Sequence, residues 1–260
     1  MLKKPEKIVT ESAKLKIKDL IVSNVGNGIK AENANWKFKG EAVKNFDEHI
    51  KRSVPMYEDG HKIVCDLSDF FITNDSTCYE LGCSTGQLSV KLAKHNDHKQ
   101  SANFIGIDLE QDMIQQAQHS AEQEKVSKLE FICDDILQYQ YRQADMIIAY
   151  YTVQFVRPSQ RQLLIDNIYQ SLNWGGAFLL FEKVRANDAR FQDIMTSLYN
   201  EYKISQGYSA DEILSKSRSL KGVLEPFSTQ GNLDLLKRAG FVDTISIFKY
   251  LSFEGFLSIK

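Results

Sequence analysis

From residue 77 onward the chain alternates short apolar runs with helix-patterned stretches, and that alternation limits the fold more than any other feature. "TCYELG", "NFIGIDL", "LEFICDD", "ADMIIAYYTV" and "GGAFLLFEK" read as buried strands. "QLSVKLAKH", "EQDMIQQAQHSAEQ" and "PSQRQLLIDNIYQSLN" read as helices, the last with Pro158 in its first turn. Strands alternating with helices pair in parallel and carry helices on both faces, so the expected class is α/β. "NLDLLKRAGF" is then a helix capped at Gly240, and "DTISIFKY" and "FEGFLSIK" form an antiparallel edge hairpin. A helical insertion over 187–224 interrupts the pattern and is too long for an ordinary connection. Its Phe191, Ile194, Leu198 and Tyr202 recur at helical spacing, so one face is expected to be buried on a partner or over the site.

Ahead of the sheet, residues 1–35 are polar, Lys-rich and weakly periodic and read as a flexible leader. Residues 36–71 read as two helices split by Pro55, belonging to a single domain over 36–260. No apolar run approaches the roughly 20 residues that span a bilayer, and no secretory signal is expected. A net charge of −2 gives no general attraction to nucleic acid or membrane. Cys65, Cys78, Cys83 and Cys133 lie apart without a Cys-x-x-Cys pair, which argues against zinc and for the cytoplasm. His95 and His98 read as a solvated helix end, and no metal site is expected.

"YELGCSTG" joins the first of these strands to a helix. Gly82 and Gly86 permit a tight turn and close approach of a ligand to unpaired backbone N–H groups. No Gly-Lys-Ser/Thr ends the turn, so it is not a P-loop. Asp108 closes the second strand 22 positions after Gly86, where an acid accepts hydrogen bonds from a ribose diol. Asp134 and Asp135 close the third, where an adenine amino group would lie. Three acids at the tips of consecutive strands describe a nucleoside site. Ser84 stands where a dinucleotide fingerprint has its middle glycine, and Glu80 before the turn would repel a pyrophosphate. An acid there suits the ammonium and sulfonium of S-adenosylmethionine.

As a set, Glu80-x-Gly82-x-Ser84-x-Gly86, Asp108, Asp134-Asp135-Ile136 and "LNWGGAFLLFE" resemble the class I methyltransferases. That resemblance implies a Rossmann-like fold with a mostly parallel seven-stranded sheet and S-adenosyl-L-methionine as cofactor. A narrower resemblance runs from Trp36 almost to the C-terminus. "FDEHIKRSVPMY", "ELGCSTGQLSV", "TVQFVRPSQRQLLIDNIYQSLNWGGAFLLFEK", "SQGYSADEI" and "LLKRAGF" are similar to carboxy-S-adenosylmethionine synthases. These homodimers carboxylate S-adenosylmethionine with carbon dioxide released from prephenate, and the product serves modification of a tRNA wobble uridine.

Position by position, the resemblance implies a cofactor contact at Tyr57 and a methionine-binding turn at Gly82, Cys83 and Ser84. Asp108 and Leu109 match the ribose contact, although the family usually has Asn at the latter, and Asp135 and Ile136 match the adenine contact. Two positions depart. Tyr150 stands where the family has a cofactor-touching Asn, and Ser217 where it has an Arg that reaches across the dimer to the added carboxylate; Arg218 follows. These departures favour a methyltransferase of this branch, acting on an unidentified small molecule or RNA. Its candidate catalytic residues are Tyr150 and Tyr151 at the exit of "ADMIIAYYTV", with Gln154 beside them. Carboxy-S-adenosylmethionine synthesis is the alternative, with Arg218 as the carboxylate partner, and a non-catalytic binding protein is a third. "KSRSLK" (216–221) reads either as an anion-binding run or as a solvated helix face.

Overall fold

The structure, a computed structural model, describes residues 23–260. Residues 1–22 of the expected leader lie outside the described residues, and the remainder is not a loose tail. A small hairpin, β1 (Ser23–Asn24) with β2 (Lys30–Ala31), turns through Gly26 and Gly28. Its Val25, Ile29 and Ala31 bury against Trp36 and Ala42, with Leu220 and Val223 packed alongside. The polar composition hid three apolar side chains, some of whose partners lie nearly 200 positions away. Residues 23–35 are therefore a packed element, which corrects the expectation of a flexible leader through residue 35.

Three helices follow: α1 (Glu41–Lys44), α2 (Phe46–Ser53) and α3 (Tyr57–Phe71). The Val54-Pro55-Met56 break turns the chain between α2 and α3, with Met56 left-handed at φ 54°. The sheet begins with β3 (Thr77–Leu81), α4 (Gln87–His95), β4 (Asn103–Asp108), α5 (Gln111–Gln123) and β5 (Leu129–Cys133). It continues with β6 (Ala144–Tyr150), α6 (Pro158–Ser171) and β7 (Leu172–Lys183). After the insertion, α7 (Ala189–Ser205) and α8 (Ala210–Ser219), come α9 (Thr229–Ala239), β8 (Asp243–Tyr250) and β9 (Phe253–Ile259). Gly240 ends α9 in a left-handed conformation, as its glycine implies.

The sheet order is β5-β4-β3-β6-β7-β9-β8, parallel except that β9 runs antiparallel to both β7 and β8. Along β6 alternate residues serve the two faces. Met146 and Ile148 join the cluster with Val64, Leu88 and Leu179, while Ile147 and Ala149 join Tyr79, Leu164 and Phe178. A strand covered on both faces must be apolar at nearly every position, which is why "MIIA" is uninterrupted. Chain order reverses between β3 and β6, so the crevice for a ligand lies beyond their carboxyl ends. The insertion sits over that edge. Gln192, Met195, Tyr199 and Lys203 of α7 line the cavity there. The opposite face leaves Phe191, Ile194 and Leu198 at 57%, 46% and 39% exposure.

Ile29→Ala is expected to cost about 2–5 kcal/mol, the usual range for truncating a buried isoleucine. An unchanged thermal midpoint would show that the β1–β2 hairpin contributes nothing to the folded domain.

Candidate active site

The turn after β3 is held by the neighbouring strand. The N–H groups of Gly82 and Cys83 both donate to the carbonyl of Ile107 (2.7 and 3.0 Å), and the Ser84 N–H donates to Asp108 Oδ2 (2.9 Å). Gly82, Ser84 and Gly86 are all left-handed, at φ 70°, 50° and 75°. A Cβ on Gly82 would also lie 2.5 Å from Thr152 Cγ2 and 2.6 Å from its Oγ1. Glycine is required there on both counts. Cys83 is buried, and burial pushes its thiol well above the ordinary range, so its part in the turn is the backbone.

Asp108 is braced as well as presented. Besides Ser84 it accepts the Glu110 N–H at Oδ1 (2.9 Å), while burial raises its pKa against these bonds. Leu109, beside it, is 65% exposed at the cavity rim. The next strand end is shaped by its own acids: Asp134 Oδ1 accepts the Asp135 N–H (2.7 Å) and Asp135 Oδ1 accepts the Leu137 N–H (2.9 Å). This Asx geometry sets Ile136 into the cavity wall. Glu80, two residues before Gly82 on β3, is buried and accepts the Ser89 hydroxyl from the first turn of α4. Burial raises its pKa to about 8. A cation beside it would favour the carboxylate.

These groups share one cavity of about 1050 Å³ over the carboxyl edge of the sheet. Of the residues singled out from sequence, Tyr57, Glu80, Gly82, Cys83, Ser84, Asp108, Leu109, Asp135, Ile136, Tyr150 and Tyr151 line it. Gly86 lies just behind, where a Cβ would meet Phe131 at 2.6 Å and Ala117 at 2.9 Å. Arg218 does not line the cavity; it is exposed, and its carbonyl accepts the Ala34 N–H from beyond β2. Within its own chain Arg218 is therefore placed outside the cavity. Successive helix residues are rotated by about 100°, so two steps from Lys216 carry Arg218 to the far face of α8.

Tyr150 also differs from expectation. Its hydroxyl donates to the carbonyl of Tyr57 (2.6 Å), and its ring rests where a Cβ on Gly60 would lie 2.1 Å from Oη. Burial drives that hydroxyl above its ordinary range, and its proton is already committed to a backbone carbonyl. It anchors α3 to the end of β6 rather than serving as an acid or base. Tyr151, left-handed at φ 61°, lies near-parallel to Tyr57, with ring centroids 6.5 Å apart. Gln154 is a buckle: its amide donates to the Tyr151 carbonyl (3.0 Å) and accepts the Lys183 N–H (3.1 Å).

The far half of the cavity holds residues that the sequence reading did not bring together: Lys183 at the end of β7, Lys203 on α7 and Lys216 on α8. The Lys183 and Lys203 ammonium groups lie 4.3 and 4.5 Å from the centroid of the Tyr199 ring. Burial lowers both to about 8. Lys216 donates to His49 Nε2 (2.5 Å) and Ser53 Oγ (2.7 Å). His49, pressed on Trp36, is pushed down to about 2 by burial and by Lys216, and so stays neutral. Only the "KSRSLK" run carried a sequence signal for any of the three, and there Lys216, not Arg218, faces inward.

A "Methyltransferase domain" family model matches residues 79–176. Solved structures with the same fold include an O-methyltransferase family protein from Burkholderia thailandensis (TM-score 0.61, 14% identity, 85% of this chain and 60% of that one). Human N-acetylserotonin methyltransferase in complex with SAM gives a TM-score of 0.57 at 16% identity, covering 85% of this chain and 55% of that one. The chain spans somewhat more than half of these longer structures, and at such identity they show the fold alone. Fold and site together define the class: an S-adenosyl-L-methionine-dependent transferase on a Rossmann-like, class I methyltransferase scaffold. Among sequence relatives, the carboxy-S-adenosyl-L-methionine synthase of Staphylococcus epidermidis is 36% identical over 86% of this chain and 97% of its own length. That of Nautilia profundicola is 37% identical over 86% and 94%, and that of Desulfotalea psychrophila 34% over 94% and 97%. The chain belongs to the carboxy-S-adenosyl-L-methionine synthase family. This corrects the preference for a methyltransferase with an unidentified acceptor, which rested on Tyr150 and Ser217: these relatives match almost end to end despite both departures.

The buried Glu80 carboxyl, the space above Gly82 and the braced Asp108 fit a sulfonium nucleoside. Because burial keeps Glu80 protonated up to about pH 8, binding a cation beside it releases that proton. S-adenosylmethionine affinity is therefore expected to rise from about pH 6 to about pH 8 and then level off. Glu80→Gln should weaken binding by about tenfold or more, the loss of a hydrogen bond to a charged group, and flatten that rise. Calorimetry showing the same pH slope in the variant would remove Glu80 from the linkage.

Proposed function

We propose that the protein makes carboxy-S-adenosyl-L-methionine from S-adenosyl-L-methionine, with prephenate as the source of the carboxyl group, and that it works as a cytoplasmic homodimer. The observation that carries this reading is the two-part cavity. Its volume of about 1050 Å³ lies just above the range of about 300–1,000 Å³ usual for one small ligand. One half presents carboxylates at strand tips, suited to a cationic nucleoside; the other presents lysines, suited to an anionic co-substrate. A simple methyl acceptor would not call for that second half.

In this reading Tyr57, Glu80, Gly82–Ser84, Asp108, Leu109, Asp135 and Ile136 hold the nucleoside. Tyr57 and Tyr151 supply near-parallel aromatic faces, while Thr152 braces the turn from behind by donating to the Leu81 carbonyl (2.8 Å). The reacting carbon then sits between the acidic and the lysine halves, shielded from water by α2 and the insertion. No group among the described residues of three or more His, Cys, Asp or Glu could hold a metal. No described helix is long and apolar enough to cross a membrane, and the four cysteines are free, as suits a reducing compartment.

Incubation with S-adenosylmethionine and prephenate is expected to give a product one carbon dioxide heavier by mass spectrometry. Arg218→Ala should keep its rate within about twofold, as for a surface change of about 0.5 kcal/mol. Unaltered S-adenosylmethionine after exhaustive incubation of the wild type would end the proposal. The exposed Phe191, Ile194 and Leu198 on α7 support the dimer. Light scattering at micromolar concentration should report twice the chain mass, and Ile194→Asp should shift it toward the monomer. A wild-type monomer would contradict the assembly.

A further inference from the structure

The turn after β5 is pinned from behind by a residue that does not reach the cavity. Asp134, Asp135, Ile136 and Leu137 line the wall there, and Tyr141 stands behind them. The peptide between Ile136 and Leu137 is held at both ends. Its N–H donates to Asp135 Oδ1 (2.9 Å), and its carbonyl accepts the Tyr141 hydroxyl (2.7 Å). The Asp135 carbonyl closes the same turn by accepting the N–H groups of Gln138 (2.8 Å) and Tyr139 (2.9 Å). Among the described residues this leaves the Ile136 N–H and Asp135 Oδ2 without a partner, both on residues of the cavity wall.

Tyr141 is itself fixed by aromatic packing. Its ring meets those of Tyr139 and Tyr79 edge-on, with centroids 5.1 and 5.5 Å apart. Tyr79 is fully buried on β3, and its hydroxyl accepts the N–H of Arg142 (3.2 Å), the residue after Tyr141. β3 is also the strand that ends in the glycine turn. One strand therefore sets the turn before α4 directly and, through Tyr79 and Tyr141, the wall after β5. Burial raises the Tyr141 hydroxyl above its ordinary range, so it keeps its proton and remains a donor. Water would satisfy the Ile136 carbonyl too, but would not fix the direction of the peptide.

We infer that Tyr141 is a positioning residue that makes the cavity selective for a nucleoside whose base carries a 6-amino group. The Ile136 N–H beside Asp135 Oδ2 is a donor next to an acceptor. That pair matches a ring nitrogen that accepts beside an exocyclic amine that donates. A 6-oxo base offers the reverse, setting donor against donor and acceptor against acceptor. The match holds only while both groups keep one direction. Rotation of the Ile136–Leu137 peptide would release the Leu137 N–H from Oδ1 and free the Asp135 carboxylate to turn. The Tyr141 hydroxyl thus orients the acceptor through the peptide it binds. The inference rests on the assignment of Asp135 and Ile136 to the nucleoside, and not on the proposed carboxylation.

The test is calorimetric titration of the full chain with S-adenosylhomocysteine and with S-inosylhomocysteine, its 6-oxo counterpart. Wild type should bind the adenosyl compound about a hundredfold or more tightly, as for a site whose polar groups the wrong base leaves unpaired. Tyr141→Phe keeps the ring and loses only the hydroxyl. It should weaken S-adenosylhomocysteine about three- to tenfold, the worth of one hydrogen bond, while S-inosylhomocysteine stays within about twofold. The ratio between the two therefore narrows. Tyr139→Phe removes a hydroxyl from the same aromatic group without touching Ile136, and should keep the wild-type ratio. An unchanged ratio in Tyr141→Phe would overturn the positioning role, whether or not carboxy-S-adenosylmethionine is made, and leave the nucleoside assignment standing. Equal narrowing in Tyr139→Phe would assign the effect to the aromatic group as a whole and overturn it too. A wild type that binds both compounds equally would overturn the role together with the assignment of Asp135 and Ile136.

Discussion

The carbonyl of Ile107 is the hinge on which the site depends. It accepts two consecutive N–H groups from the turn after β3, and the adjacent Asp108 carboxylate accepts a third from Ser84. Parallel strands offer no hairpin to fix the relative position of their ends. These cross-strand bonds do so here, and they tolerate the left-handed run Gly82, Ser84, Gly86 only because they over-determine it. Asp108 thus braces the turn and lines the cavity at once, so its side chain cannot be assigned to binding alone.

With that turn in place, the cavity acquires two electrostatic halves. The acidic half is poised rather than fully charged: burial raises the Glu80 pKa to about 8. The lysine half is poised in the opposite sense, with Lys183 and Lys203 brought down to about 8 by burial. In the proposed reaction a ligand of opposite sign would complete each half, and such perturbed groups facing one cavity suit a functional site.

The departure at Tyr150 has a packing explanation. Its hydroxyl reaches the N-terminal turn of α3, and Gly60 has no side chain because the tyrosine occupies that space. The pair draws α3 against β6, and with it Tyr57 into the wall beside Tyr151. A polar contact is thereby exchanged for aromatic packing without opening the cofactor half of the cavity.

The sheet, its antiparallel edge and the glycine turn with its strand-end acids were legible in the sequence because their information is local. Strand period, strand-end acids and glycines within a few residues of one another specify a turn and what it can hold. The hairpin at 23–35 was not legible, since Val25 and Ile29 bury in a cluster completed by residues near 220. Nor was the lysine half. Lys183, Lys203 and Lys216 are spread over 33 positions, and composition cannot tell a solvated lysine from one turned inward. Helix phase decides that, and the phase of α8 is set by how Ile213 and Leu220 seat the helix, not by its own pattern. The sequence by itself determined a glycine turn ringed by strand-end acids on a parallel sheet, because backbone geometry follows residue type at short range. Only the tertiary structure decided which cations face the cradle, because that choice depends on packing between segments the chain keeps far apart.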